Sequence, residues 1–285
     1  MKEKTKGLLV NLLIYLLAFG VGLIPFIFTE NIFLAEAYFT LSATFVIYVI
    51  TFFYPDTSIY DPYWSVAPPV MLLIAMIKYG YWSMNAILLF AGVCIWALRL
   101  TINWAITYKG LGHEDWRYAN FRKKHNKFVF EIINFFGLQY VPTIVVYAGL
   151  VGAFFVLEST EFAPLMLIGI AIMILGSALE YFADTAIHAF LRENKGSMRT
   201  CDVAIWKYSR HPNYLGEMTF WVGVFVAFLA VRPDIWYYGL GFLLIELLFM
   251  TVSIPMMEKH NLERRPDYVE YKEKTSMLIP LPPKK

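Results

Sequence analysis

Long apolar runs separated by short polar or basic segments dominate the sequence. A run of roughly 20 helical residues crosses about 30 Å of hydrocarbon. Runs of this kind lie at about 7–28, 33–53, 66–82, 84–104, 141–157, 163–190, 213–231 and 235–255. The pattern predicts an all-α fold, a polytopic membrane helical bundle with about eight transmembrane helices, in a range of roughly seven to ten.

Composition and charge agree with this prediction and orient the chain. Hydrophobic residues make up 59% of the 285 and charged residues 16%, with a mean hydropathy of +0.54, which a soluble core of this length does not show. All but three of the 24 Lys and Arg lie in the N-terminal tail, the 105–140 and 191–212 loops and the C-terminal tail. Because short basic loops stay in the cytoplasm, we predict that both the N-terminus and the C-terminus are cytoplasmic.

Several other classes of protein are disfavoured. Cys94 lies in a predicted span and Cys201 in a loop, so no disulfide framework is expected. The basic residues do not exceed what membrane orientation requires, which argues against a nucleic acid partner. Five histidines without paired spacing argue against a bound metal such as a di-iron centre. The sequence has no internal repeat, and we expect a single membrane domain over residues 1–285.

The first polar feature inside the membrane is a ladder on the sixth predicted span. Four ionisable residues recur every four positions and share one helix face: Glu180, Asp184, His188 and Arg192. Ionisable groups inside spans are costly and mark functional sites by default. We interpret the ladder as a ligand-facing stripe that enters from the cytosol. The alternative is a stripe of opposite charges that satisfy one another.

The second polar feature is the start of the seventh predicted span, with the sequence YSRHPNYLGE. Pro212 fits the first turn of a helix, so the positive end of the helix dipole faces the cytosol beside Arg210, an arrangement suited to a phosphate or carboxylate. Asn213 and Glu217 share one face, and Gly216 permits close approach of a ligand or of another backbone. The alternative is an ordinary interfacial helix start.

Further polar and aromatic segments lie at the predicted cytoplasmic surface. In the C-terminal tail, His260 and Arg264 share a helical face; the alternative is an amphipathic tail on anionic lipid. Residues 60–69 (YDPYWSVAPP) carry aromatic rings, a carboxylate and prolines, which predicts either irregular backbone lining a cavity or an interfacial aromatic belt. Residues 113–118 (HEDWRY) are predicted to be a solvated loop.

The start of the seventh span and the C-terminal tail resemble the steroid 5α-reductase C-terminal-like family of membrane proteins. The resemblance covers roughly residues 55–280 and is strongest over 208–223. The matching positions of the signature and of the family's end are 210–217, Trp221, Gly223, His260, Arg264, 267–268 and Tyr271. The segments that look like the family's less-characterised branch are 60–65, 99–101 and 114–118. We therefore distinguish an N-terminal helix pair at 1–54 from a steroid-reductase-like region at 55–285.

The resemblance implies an integral, multi-pass membrane enzyme that uses NADPH to reduce a carbon–carbon double bond conjugated to a carbonyl in a sterol-like or other lipid-soluble substrate. It implies a cofactor site on the cytoplasmic side, within about 180–275. The residues it assigns to the cofactor are Asp184, Arg192, Lys195, Arg210, Asn213, Tyr214, Glu217, His260, Arg264 and Tyr271. In this assignment Asn213 and Glu217 hold the nicotinamide end, and Arg192 and Lys195 meet phosphates. No Gly-rich fingerprint follows a strand, which excludes a Rossmann domain as the cofactor site.

For catalysis, the resemblance points to Tyr60 and Asp61. Steroid reductases carry a glutamine–glutamate pair where this tyrosine–aspartate pair stands. We predict that Tyr60 protonates an enolate and that Asp61 orients it, while the substrate arrives from membrane lipid.

Two other functions stay open. The same helix start resembles the isoprenylcysteine and phospholipid methyltransferases, which bind S-adenosylmethionine at the cytoplasmic ends of their last helices. Those families tend to place two adjacent glutamates just beyond the final helix, where this chain has only Glu258. The second alternative is a lipid-binding membrane protein without catalytic activity, which the altered Tyr60–Asp61 position favours.

Overall fold

The structure is a computed structural model that describes residues 2–284, and the regular elements in that range are all helices. This confirms the predicted all-α fold. The helices are α1 Glu3–Gly22, α2 Ile32–Phe53, α3 Tyr63–Tyr79, α4 Met84–Thr107, α5 Trp116–Lys124, α6 Lys127–Ile132, α7 Val141–Glu158, α8 Met166–Glu193, α9 Pro212–Val231, α10 Phe242–Leu248, α11 Ile254–Arg264 and α12 Tyr268–Lys274.

Seven helical segments of the described chain are long and apolar enough to cross a membrane. They are Glu3–Ile27, Ile32–Phe53, Met84–Thr107, Lys127–Glu158, Met166–Glu193, Pro212–Val231 and Pro233–Arg264. The remaining predicted span corresponds to α3, which has 17 residues. At about 1.5 Å per residue, α3 is shorter than the roughly 30 Å of a typical hydrocarbon core. The multi-pass architecture is therefore as predicted, and α3 is the one predicted span that is not among these seven segments.

Two predicted span boundaries are wrong because π-helical segments extend the helices. The fifth span begins at Lys127 rather than near residue 141, since the π segment Ile133–Tyr140 joins α6 to α7. The last span continues past Pro255 to the end of α11, since this proline follows the π segment Phe249–Ser253 and lies in the first turn of α11. A proline is tolerated in a first turn because its missing N–H is not needed there.

Residues 63–69 of the proline-containing segment are helical, so the prediction of irregular backbone is wrong there. A 3-10 turn ends at Tyr60, and α3 runs from Tyr63 through Pro68 and Pro69. Each proline removes one helical N–H donor but keeps a helical φ angle. Tyr60 is therefore the last residue of the 3-10 turn, and Asp61 lies in the two-residue turn that connects it to α3.

The chain divides into two compact units, Met1–Phe162 and Ala163–Lys285. Hydrogen bonds cross the predicted boundary after residue 54 within the first unit: the Tyr15 hydroxyl donates to the Ile59 carbonyl at 2.7 Å, and Thr44 pairs with Thr143 at 2.9 Å. These bonds join the N-terminal helix pair to the 3-10 turn before α3 and to α7.

The second unit is built around α8 and α9, whose backbones touch along a seam of glycines. A Cβ atom added to Gly176 of α8 would lie 2.6 Å from the Gly216 carbonyl oxygen of α9. One added to Gly223 of α9 would lie 2.8 Å from the Gly169 carbonyl oxygen of α8. Because real Cβ atoms do not approach backbone so closely, only glycine fits at these positions.

Candidate functional site

The predicted site residues fall in both units. Tyr60 and Asp61 belong to the first unit, and all the residues assigned to the cofactor belong to the second.

In the second unit, Arg210 ties the start of α9 to the C-terminal helices. Its Nε donates to Glu258 Oε1 of α11 at 2.8 Å, and its Nη1 donates to the carbonyl oxygens of Lys272 and Thr275 at 2.9 and 2.6 Å. The Lys272 ammonium approaches the other Glu258 oxygen at 2.8 Å. Arg210 is therefore engaged with protein groups, and Glu258 is the buried centre of this cluster.

His211 and Tyr214 extend the same cluster along α9. The two rings stack with centroids 5.4 Å apart and an angle of 9° between their planes. The His211 Nε2 lies 3.4 Å from Glu258 Oε1, and the Tyr214 ring lies 5.0 Å from that of Phe249 in the last span. These contacts hold the last span against the first turns of α9.

Asn213, in the first turn of α9, is half-buried, and Glu217, in the second turn, is buried. The Trp221 indole N–H donates to Glu217 Oε1 at 2.9 Å. Glu246 of α10 lies within electrostatic range of Glu217. Sequence reasoning missed Glu246, although a single carboxylate in the apolar run 235–255 was the signal for it.

The ladder on α8 becomes more buried with depth. Arg192 is exposed, His188 is half-buried, and Asp184 and Glu180 are buried. A Cβ atom on Gly216 would lie 2.5 Å from Glu180 Cγ, so the lower end of the ladder packs against α9. Of the two roles predicted for Gly216, the structure shows the approach of another helix.

The remaining predicted cofactor residues lie near the ends of α8, α11 and α12. Lys195 is exposed in the loop after α8, and Arg264 Nη1 lies 3.4 Å from His260 Nε2 on the outer face of α11. Tyr271 is buried, and its hydroxyl donates to the Trp206 carbonyl oxygen at 2.5 Å. Lys195, His260 and Arg264 thus present polar groups to solvent, whereas the Tyr271 phenol holds the loop before α9.

In the first unit, Asp61 receives two donors from the segment that sequence reasoning treated as a solvated loop. The Tyr118 hydroxyl donates to Asp61 Oδ1 at 2.5 Å, and Arg117 Nη2 lies 3.4 Å from the same oxygen. Burial raises the pKa of Asp61 to about 6, although the Arg117 charge and the Tyr118 hydrogen bond lower it. Asp61 is thus a carboxyl group with a raised pKa that accepts a hydrogen bond from a phenol.

Hydrogen bonds between backbone N–H groups and side-chain oxygens hold the 3-10 turn against the segment before α5. Gly112 N–H donates to Asp56 Oδ2 at 2.7 Å, Asp115 N–H donates to Ser58 Oγ at 2.7 Å, and Thr57 N–H donates to Glu114 Oε1 at 3.1 Å. Residues 112–118 therefore belong to the site. Sequence spacing alone does not reveal the contact, since Tyr118 and Asp61 are 57 positions apart.

Tyr60 points to a different partner from Asp61. Its side chain is buried, its hydroxyl shares a hydrogen bond of 2.8 Å with Thr143 of α7, and burial raises its pKa above the ordinary value. The two predicted catalytic residues are adjacent in sequence but join different hydrogen-bond networks.

These features define a polytopic helical membrane protein with a carboxyl–phenol pair in one unit and buried carboxylates around a helix start in the other. The chain belongs to the family described as protein of unknown function (DUF1295), whose model matches residues 47–275. The match begins within α2 and includes both Asp61 and Glu217. No curated protein and no solved structure matches the chain.

Proposed function

We propose that this protein is a membrane-embedded, NADPH-dependent reductase of a carbon–carbon double bond conjugated to a carbonyl in a sterol-like or other lipid substrate. The observation that carries the proposal is the Asp61–Tyr118 pair. Reduction of such a bond requires a proton in addition to a hydride, and methyl transfer does not. A carboxyl group with a pKa of about 6 that accepts a hydrogen bond from a phenol is suited to deliver that proton at physiological pH.

The chemistry of the second unit fits the cofactor. Asn213 and Glu217 offer an amide and a carboxylate, the groups that pair with a carboxamide and with ribose hydroxyls. Exposed cationic side chains near the ends of α8 and α11 suit phosphates: Arg192, Lys195 and Arg264. NADPH, when bound, supplies the hydride.

The protein's own residues have separable roles in this proposal. Asp61 holds the proton. Tyr118 and Arg117 fix the orientation of the Asp61 carboxyl group and donate hydrogen bonds to its Oδ1, where negative charge develops when the proton leaves. Arg210 is a positioning residue, because it acts through Glu258 on the relation between α9 and α11. Trp221 positions Glu217 through its indole N–H.

Ligand-induced stabilisation tests the cofactor. We expect NADPH to raise the thermal midpoint of the detergent-solubilised protein, since a ligand at 100 times its dissociation constant stabilises by about 2.7 kcal/mol. Asn213→Ala and Glu217→Gln should lose this shift. Thr219→Ala is the matched control on α9, because the Thr219 hydroxyl donates only within its own helix, to the Leu215 carbonyl.

Methyl transfer from S-adenosylmethionine is the second candidate, favoured by the proximity of Glu217 and Glu246. Two carboxylates around one site attract a cation, and this cofactor carries a sulfonium and an ammonium group. A thermal shift with S-adenosylmethionine but not with NADPH would replace the reductase proposal by this one. If neither compound gives a shift, a lipid-binding protein without either cofactor is the conclusion.

A further inference from the structure

The buried face of α2 carries polar residues at intervals along a predicted membrane span. Four polar residues on this face are buried, with at most 3% of each exposed: Glu36, Thr40, Thr44 and Thr51. The opposite face carries exposed apolar side chains such as Leu34 and Phe45. Burying this many polar groups in a span is unfavourable unless they bond to one another or serve a function.

Hydroxyl groups from four elements join in the middle of this face. The Tyr60 hydroxyl pairs with Thr143 at 2.8 Å, and Thr143 pairs with Thr44 at 2.9 Å. The Tyr63 hydroxyl donates to the Thr40 carbonyl oxygen at 3.0 Å, lies 3.1 Å from the Thr40 hydroxyl and also interacts with Thr44. A hydroxyl donates one proton and accepts others, so the donor directions along such a chain can reverse.

Glu36 lies one helical turn beyond Thr40 and is fully buried. Neither of its carboxyl oxygens has a hydrogen-bond partner among the described residues. The titratable groups that face it are Tyr63 and Tyr79 of α3 and Tyr147 of α7. Residues four apart on a helix have Cβ atoms about 6 Å apart, a gap that rotation of a glutamate side chain closes.

We propose that Glu36, Thr40, Tyr63, Thr44, Thr143 and Tyr60 form a proton relay through the first unit. Glu36 is the proton-holding end, and the turn at Tyr60 is the other. When an acceptor at the turn takes the phenolic proton of Tyr60, Thr143 replaces it, and each hydroxyl takes a proton from the next until Glu36 is a carboxylate. Each step breaks one O–H bond and forms one, so protons balance and no electrons move. The relay goes beyond the proposed reductase function and does not require it.

Infrared spectroscopy of the full-length protein in detergent tests the relay. The carbonyl stretch of protonated carboxyl groups is followed after transfer into D₂O. We expect Glu36→Gln to remove one such band. In the wild-type protein that band should shift on deuteration, and the shift should be about tenfold slower in Thr143→Val, equivalent to about 1.4 kcal/mol in barrier height. Thr44→Val should slow it similarly.

Two variants serve as controls for this measurement. Thr143→Ser keeps the hydroxyl and should exchange at the wild-type rate, which separates the relay from a packing defect. Ser42→Ala changes a hydroxyl on the other side of α2 that donates only to the carbonyls of Tyr38 and Phe39, and it should have no effect.

Two results would overturn the proposal. If Glu36→Gln removes no protonated-carboxyl band, Glu36 does not hold the proton. If exchange is equally fast in the wild-type, Thr143→Val and Thr44→Val proteins, the proton does not pass through these hydroxyls. Neither result depends on NADPH, so failure of the relay is distinguishable from failure of the reductase proposal.

Discussion

Glu258 is the residue on which two cationic side chains and one imidazole of the second unit converge. Arg210, His211 and Lys272 all contact its carboxylate, and the Arg210 and Glu258 side chains are only 9% and 10% exposed. A buried ion pair contributes little compared with apolar packing, but removing one partner leaves an uncompensated charge. Glu258 is therefore important mainly because its loss leaves the charges of Arg210 and Lys272 without a countercharge.

We predict that Glu258→Gln lowers the free energy of unfolding by about 3–5 kcal/mol. The loss arises because Arg210 and Lys272 stay charged without a countercharge. Denaturant or thermal unfolding in detergent measures it. Arg232→Gln is the control, since the Arg232–Asp234 pair is exposed and its loss should cost at most about 1 kcal/mol. Equal losses in both variants would contradict the prediction.

Asp61 predicts a pH dependence of stability. Its pKa is raised by burial to about 6 from an ordinary value of 3.8, so the folded protein binds the proton more tightly than the unfolded chain. The resulting stabilisation is complete below about pH 4 and is lost as the pH rises through about 6. Two pKa units correspond to about 3 kcal/mol.

We therefore expect the wild-type protein to lose up to about 3 kcal/mol more stability than Asp61→Asn between pH 4 and pH 7. Thermal midpoints of both proteins across this range provide the measurement. Glu193→Gln, at the exposed end of α8, should follow the wild-type protein. A wild-type stability that rises with pH relative to Asp61→Asn would show that the folded pKa of Asp61 is not raised.

Among the helices, α8 and α9 can lie in backbone contact only because glycines without side chains stand where they meet. Sequence patterns predicted both helices, because lipid requires long apolar segments with internally bonded backbones. They did not show that Gly216 faces α8, because the sequence allowed a ligand equally well. The π segments were also missed, since an apolar run reports the length of a span and not the hydrogen-bond register within it.

We predict that Gly176→Ala destabilises the protein by about 1–3 kcal/mol or more, because the added methyl group meets the backbone of α9. Gly20→Ala in α1 is the matched control. A Cβ atom there meets nothing within 4 Å, so alanine should be neutral or stabilise by roughly 0.5–1 kcal/mol. Thermal unfolding measures the stability of the two variants. A Gly176→Ala protein as stable as the wild type would contradict the close α8–α9 contact.

For the whole molecule, the basic loops predict that both chain ends lie in the cytoplasm, which requires α3 to cross the membrane as an eighth span. The test uses a protein in which Cys94 and Cys201 are replaced by serine. Lys2→Cys, Glu161→Cys and Glu273→Cys are introduced one at a time. Reaction with a membrane-impermeant thiol reagent then shows on which side of the membrane each position lies. We expect positions 2 and 273 to react from the cytoplasmic side and position 161 from the other. If α3 does not cross, positions 2 and 273 will react from opposite sides.

The candidate site was only partly predictable because its contacts join distant parts of the sequence. Glu217 was conspicuous because a carboxylate within a span is costly, and Asp61 was predicted from the resemblance to the steroid reductases. Tyr118 was not, because a tyrosine in a polar loop carries no such signal, and only the folded chain brings it to Asp61. Glu246 carried the signal and was overlooked among the apolar residues of the last span.

The glycine seam between α8 and α9 also determines which part of the second unit moves. Helices in backbone contact cannot slide or turn past one another without collision, so this pair moves as a rigid body. The last span changes from 3-10 to α, π and α geometry and packs little of its surface against the protein, so we expect it, rather than α8 or α9, to be the element that moves. The Arg210–Glu258 pair anchors one end of it. A molecule held between Glu217 and Glu246 would therefore be released by a swing of the last span about that anchor.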